Sequence, residues 1–132
     1  MSQENVELSL LAVDAWDRRD VEAMIGFLDP EFVWHPALGI TEGPSTYRGH
    51  AGVRRYFEDL AEFSDQSHSE YPEVHDLGDQ VLGLGRFSMR FASGVELDQG
   101  VAFLLTWRNG KCVEARTWLS YAEALEAAGL RE

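Results

Sequence analysis

One cysteine, four prolines and eleven basic residues in a chain of 132 residues exclude more than they suggest. With Cys112 alone, neither an intramolecular disulfide nor a multi-cysteine metal site can form, and a reducing compartment is the simplest setting. Eleven basic against 23 acidic residues leave a net charge of −12. That field repels phosphate backbones and anionic membrane surfaces, so neither nucleic acid nor a membrane is expected as a partner. No apolar run approaches the ~18 residues of a membrane-spanning helix. The first seven residues also lack the basic start and apolar core of a signal peptide, so the expectation is a cytoplasmic protein. The four histidines, His35, His50, His68 and His75, show none of the i, i+4 or short-loop spacings that gather nitrogens on one metal. No metal and no cofactor is expected. The length suits a single domain, residues 1–132.

What is present is a change of period. Over residues 5–19, Leu8, Leu11, Ala12, Ala15 and Trp16 recur at helical spacing, and Val6, Leu10 and Val13 widen the stripe. Asp20 is placed to cap a second, short helix in which Val21, Met24, Ile25 and Leu28 share a face, and Asp29-Pro30 ends it. Residues 31–35 read as a short strand that Pro36 closes. Residues 37–49 carry three glycines and Pro44; an irregular stretch of that length in a small domain is often a lid or binding loop. Val53, Tyr56, Phe57, Leu60 and Ala61 then mark the apolar face of a third helix. From Ser67 the period becomes two: a strand over 67–77 broken at Pro72, a strand over 80–91, and a hairpin over 95–119 turning at Asn109-Gly110. Asn-Gly suits a type I′ turn because both residues tolerate positive φ. An alanine- and leucine-rich tail over 121–130 reads as a terminal helix.

Helices grouped before a meander of strands predict an α+β domain. The hairpin places Val101, Phe103, Leu105 and Trp107 on one face and Ala102, Leu104 and Thr106 on the other, and both sets are apolar. The final strand splits into Val113, Ala115, Thr117 and Leu119 against Cys112, Glu114, Arg116 and Trp118. A sheet covered on one face alone shows polar residues on the second, so the second face is expected to meet another subunit. Leu104, Thr106, Arg116 and Trp118 are the predicted contacts of a homodimer.

Three segments carry a resemblance. They are Leu28-Asp29-Pro30-Glu31-Phe32-Val33-Trp34-His35-Pro36, the opening of the third helix at Tyr47-Arg48-Gly49 with Gly52-Val53-Arg54, and Trp107-Arg108-Asn109-Gly110-Lys111-Cys112-Val113. With the ending Glu123-Ala124-Leu125-Glu126-Ala127-Ala128-Gly129-Leu130, they resemble SnoaL-like polyketide cyclase domains of the nuclear transport factor two-like superfamily. The resemblance spans nearly the whole chain and is specific for fold rather than function: the superfamily holds isomerases, epoxide hydrolases, dehydratases, cyclases and non-catalytic binding domains. It implies a cone-shaped, curved antiparallel sheet with the N-terminal helices on its concave face, a pocket inside the cone, and a homodimer. In the steroid-isomerase pattern a base aspartate precedes a proline at the end of the first strand, where this chain has His35 before Pro36. The isomerase's oxyanion-hole tyrosine and aspartate fall near Ala12 and Phe103, so neither donor is present, and the histidine common in SnoaL-like chains is replaced at Phe103.

His35 is therefore the candidate base for cofactor-independent cyclisation, isomerisation or dehydration of a small apolar carbonyl compound, since histidine exchanges protons near neutral pH. The plain alternative is a histidine at the edge of the core that bonds a neighbour. Tyr56 and Gln99 are candidates to orient the substrate, Phe87, Met89, Phe103 and Trp107 to line the pocket, and Tyr47 to close its mouth; packing is the alternative for each. A non-catalytic binding protein for an apolar metabolite, using the same pocket, is the second reading of the whole chain.

Overall fold

The helical stripe near the N-terminus winds Ser2–Asp17 into α1 and Val21–Ile25 into α2 in a computed structural model that describes residues 2–37 and 46–130. The two helices meet without a linker because α1 ends in a Schellman motif. Asp20 N–H donates to Ala15 O and Arg19 N–H to Trp16 O, each at 3.0 Å. Arg19 takes φ +57°, a position that glycine usually fills. The strain there, about 1–2 kcal/mol for a residue with a Cβ, is offset by the Arg19 side chain. It donates to Ser64 O at 2.8 Å and reaches the Ser64 and Ser67 hydroxyls at 3.2 and 3.3 Å. Asp20 caps α2, accepting from Ala23 N–H at 3.1 Å.

The remaining elements are β1 (Leu28–His35), β2 (Tyr47–Arg48), α3 (Gly49–Ala61), β3 (Ser64–Asp76), β4 (Gln80–Phe91), β5 (Glu96–Arg108), β6 (Lys111–Trp118) and α4 (Tyr121–Ala127). Most of the expected loop at 37–49 lies outside the described residues. The six strands form one curved, unclosed sheet in the order β2-β1-β6-β5-β4-β3. Strands β3 to β6 pair antiparallel in sequence order, and the β5–β6 turn has Asn109 at φ +54° and Gly110 at φ +77°, the signature of a type I′ turn. One expectation is corrected: β1 runs parallel to β6, with Trp34 opposite Ala115, so the sheet is mixed. Tight turns impose antiparallel pairing on strands they join, and no turn joins β1 to β6.

Curvature has two local sources. The register of β3 shifts between Glu70 and Glu73, around Pro72 on the edge strand, and the bulge presses the backbone of β3 against β4. A Cβ at Gly85 would stand 1.9 Å from Glu70 O. At Gly83 a Cβ would stand 2.3 Å from the Phe103 ring, so this glycine lets the ring lie down on the sheet.

The inner face carries Val81, Met89, Phe103, Leu105, Trp107 and Ala115, which join Ala12, Ala15, Met24, Phe32, Trp34, Val53, Tyr56, Phe57 and Leu60 in the main core. Cys112 belongs to this core and not to the outer face predicted by strict alternation. The β5–β6 register shifts at Thr106/Trp107 so that Trp107 faces Cys112, and one extra residue reverses the side on which all preceding side chains point. The outer face is also closed, but by this chain: Leu82, Leu84, Ala102 and Leu104 form a second core with Ala124, Leu125 and Ala128, at the α4 end of the chain. Leu104, 1% exposed, is thus covered by α4 rather than by a second subunit, which corrects its assignment as a dimer contact. Thr106 accepts from Gln80 Nε2 at 3.1 Å. Trp118 packs against the same cluster with the Arg116 guanidinium 4.8 Å from its ring centre.

Candidate functional site

Between the inner sheet face and the N-terminal helices lies a cavity of about 130 Å³. Its walls are Ala12, Val13, Trp16 and Asp17 of α1, Met24 of α2, Trp34 of β1, Tyr56 and Leu60 of α3, and side chains from β3 to β6 including Tyr71, Phe87, Met89, Phe103 and Thr117. Most of this lining is apolar, and the aromatic part is ordered by ring contacts. Trp16 meets Trp34 at 4.7 Å and Tyr56 at 5.3 Å, and Tyr71 meets Phe103 edge-on at 4.7 Å.

The polar groups fall into two places. Ser67, Ser69 and Tyr71 alternate along β3 and so share the face that meets the last turn of α1, where Asp17 stands. Ser69 donates twice to Asp17 Oδ2, from its backbone N–H at 2.9 Å and its hydroxyl at 2.8 Å. Asp17 Oδ1 makes no hydrogen bond to any described residue. Burial raises the Asp17 carboxyl above the ordinary carboxylate value, and the two Ser69 bonds and the charge of His68 oppose that rise without cancelling it. A carboxylate in the last turn also opposes the helix dipole. The second place is on α3 and β1. Burial pushes the Tyr56 phenol up to about 12, so it is a neutral donor at physiological pH, and its hydroxyl has no hydrogen-bond partner among the described residues. The Trp34 indole N–H is buried without a partner as well, an arrangement that native structures rarely tolerate.

Of the residues that the sequence suggested, Tyr56, Phe87, Met89 and Phe103 line the cavity and four do not. His35 alternates with Trp34 along β1, so it faces the other side of the sheet. There its Nε2 lies 3.0 Å from Glu114 Oε2, with 37% and 41% of the two side chains exposed. That alternation turns His35, the candidate base, away from the cavity. Trp107 is packed away, donating to the buried Ser9 hydroxyl at 2.8 Å. Tyr47 donates to Asp59 at 3.3 Å and stacks edge-on against Tyr56 at 5.2 Å. Gln99 stands opposite Phe87 in register, on the inner face beyond the lining. Sequence reasoning passed over Asp17, Ser67, Ser69 and Tyr71. The signals were an acidic residue following Trp16 on the apolar stripe of a helix and a period-two polar run beginning at Ser67. Among the described residues no three His, Cys, Asp or Glu side chains cluster to hold a metal, and no helix is long and apolar enough to cross a membrane.

The sequence profile of the SnoaL-like domain matches residues 11–115. The chain belongs to the SnoaL-like domain family. No curated protein sequence matches it, whereas solved structures share the fold of this SnoaL-like domain along nearly its whole length. An NTF2-like protein of unknown function from Burkholderia pseudomallei is 19% identical, with a TM-score of 0.80 over 93% of this chain and 95% of its own. TerC, co-crystallised with polyporic acid, is 21% identical, with a TM-score of 0.79 over 96% and 98%. A protein with a ketosteroid isomerase-like fold from Catenulispora acidiphila, in complex with trimethylamine, is 15% identical, with a TM-score of 0.74 over 95% and 94%.

Proposed function

We propose that this SnoaL-like domain takes a small, largely apolar, carbonyl-bearing molecule into the cavity and moves a proton on it without a cofactor, in a cyclisation, isomerisation or dehydration. One observation carries the reading: Asp17, whose Oδ1 has no hydrogen-bond partner among the described residues, and Tyr56, whose phenol has none among them either, line the same apolar cavity. Asp17 replaces His35 as the base, because it is the carboxylate within reach of a bound molecule and its raised pKa makes it a better proton acceptor than an ordinary aspartate. Tyr56 supplies a hydrogen bond to oxygen that gains charge as the proton leaves. Two structural relatives carry small molecules, polyporic acid and trimethylamine, which supports a ligand-binding use of the fold.

The test incubates the protein with ring-sized carbonyl compounds in D2O and follows thermal stability and proton NMR spectra together. Stabilisation accompanied by deuterium uptake or product is the expected result. Failure of every compound to stabilise the fold would sink the proposal. Stabilisation with the compound recovered unchanged supports the second reading, a non-catalytic binding protein, which the outward direction of His35 favours. The homodimer is also retained as a proposal, now resting on Arg116 and Trp118 at the outer end of β6; a single monomeric species in sedimentation velocity would remove it.

A further inference from the structure

The polar groups of the cavity are complementary in kind as well as in place. The side formed by α3 and β1 offers hydrogen-bond donors without partners among the described residues, the Tyr56 hydroxyl and, packed edge-on to it at 5.6 Å, the Trp34 indole. Both residues are more than nine-tenths buried, at 6% and 7% exposure, where an unmade hydrogen bond is unfavourable because water cannot replace the missing partner. The α1 side offers the opposite, an acceptor: Ser69 ties down Asp17 Oδ2 and leaves Oδ1 open. A molecule that satisfies both sides needs an acceptor oxygen for Tyr56 and a donor hydrogen for Asp17.

Size and charge narrow the class. The cavity, about 130 Å³, is close to the ~150 Å³ apolar void that takes a benzene-sized guest, and walls such as Trp16, Trp34 and Phe103 favour a flat ring. An anion would be repelled by Asp17. A cation meets the Arg19 guanidinium, which bonds the Ser67 hydroxyl on the same wall at 3.3 Å. A neutral hydroxyl meets both limits. We propose that the cavity recognises a single-ring hydroxyaryl carbonyl compound, its carbonyl oxygen accepting from the Tyr56 hydroxyl and its phenolic hydroxyl donating to Asp17 Oδ1. This rests on the cavity being a ligand site, as proposed above, and names the class of molecule it holds.

The test compares three probes: 4-hydroxyacetophenone, which carries both groups; acetophenone, which lacks the donor; and 4-ethylphenol, which lacks the acceptor. Binding is followed by calorimetry and by the fluorescence of Trp16 and Trp34. The complete probe is expected to bind about tenfold tighter than either partial one, because each partial probe leaves one polar group of the cavity wall without its partner. Tyr56→Phe should erase the advantage over 4-ethylphenol alone, and Asp17→Asn the advantage over acetophenone alone. Binding of all three within threefold by the wild-type protein, or variants that weaken all three equally, would overturn the two-point recognition while leaving the cavity as a ligand site. If none of the three binds, the ligand-site reading fails with it.

Discussion

Replacing Gly83 by alanine tests whether one missing side chain sets the shape of the cavity. A Cβ at this position would lie 2.3, 2.5 and 2.9 Å from Cε2, Cζ and Cδ2 of Phe103, roughly 1 Å inside ordinary carbon contact of ~3.5 Å. The obstructing atoms belong to a ring that is 3% exposed and held edge-on by Tyr71, so it cannot swing aside into solvent. Gly83→Ala should therefore lower stability by about 1–3 kcal/mol, the usual effect of overpacking a well-filled core. Phe103→Ala alone should lower it by about 3–5 kcal/mol. In the double variant the new methyl group occupies space that the ring has vacated. The overpacking penalty then disappears, and the combined loss should fall short of the sum of the single losses by about 1–3 kcal/mol. Urea denaturation with unchanged m-values gives the three numbers. Strict additivity would refute the reasoning, because it would mean that Gly83 is required for the backbone path of β4 and not for the ring lying over it.

Three further outcomes follow from the same geometry. His35→Ala removes a half-exposed pair with Glu114; it should change stability by less than about 1 kcal/mol and leave ligand stabilisation of the protein unaltered, and loss of binding with the fold intact would return His35 to the site. Asp17→Asn should become more favourable as pH rises. The folded-state pKa of Asp17 is raised, chiefly by burial, so its charge destabilises the native state above that pKa and contributes nothing below the unfolded value, where both states are protonated. A stability difference between wild type and Asp17→Asn that stays flat from pH 3 to pH 7 contradicts this. Leu104→Ala should cost about 2–5 kcal/mol in a monomeric or dimeric protein alike, as a core residue does, because α4 covers it; a loss under about 0.5 kcal/mol, the range of open surface, would place it outside the core.

Much of the architecture was readable because it is encoded locally. The stripe from Leu8 to Trp16 buries one side of α1, Asp20 caps α2, Asn109-Gly110 turns the last hairpin, and Pro72 sits at a bulge on an edge strand. Each of these is a property of a few adjacent residues. The same alternation that made Phe87, Met89 and Phe103 legible as lining residues failed at Cys112, where one inserted residue reversed the side, and at His35, whose direction depends on which neighbour of the β1 pleat meets the helices. Asp17 was overlooked because a carboxylate at the end of a helix usually lies in water, and only β3, some fifty residues on, brings Ser69 to it.

Period, capping and turn chemistry thus decided which segments became helices and strands and how the last four strands follow one another. The fold decided the rest. The parallel docking of β1 on β6, the covering of the outer face by α4, and the meeting of Asp17 with Ser69 and of Tyr56 with Trp34 all join residues remote in sequence. Such contacts have no local code, because they form when packing removes apolar surface from water and leaves the polar groups to find whichever partners that packing brings near. Around this cavity it left Tyr56, Trp34 and one oxygen of Asp17 without a partner among the described residues.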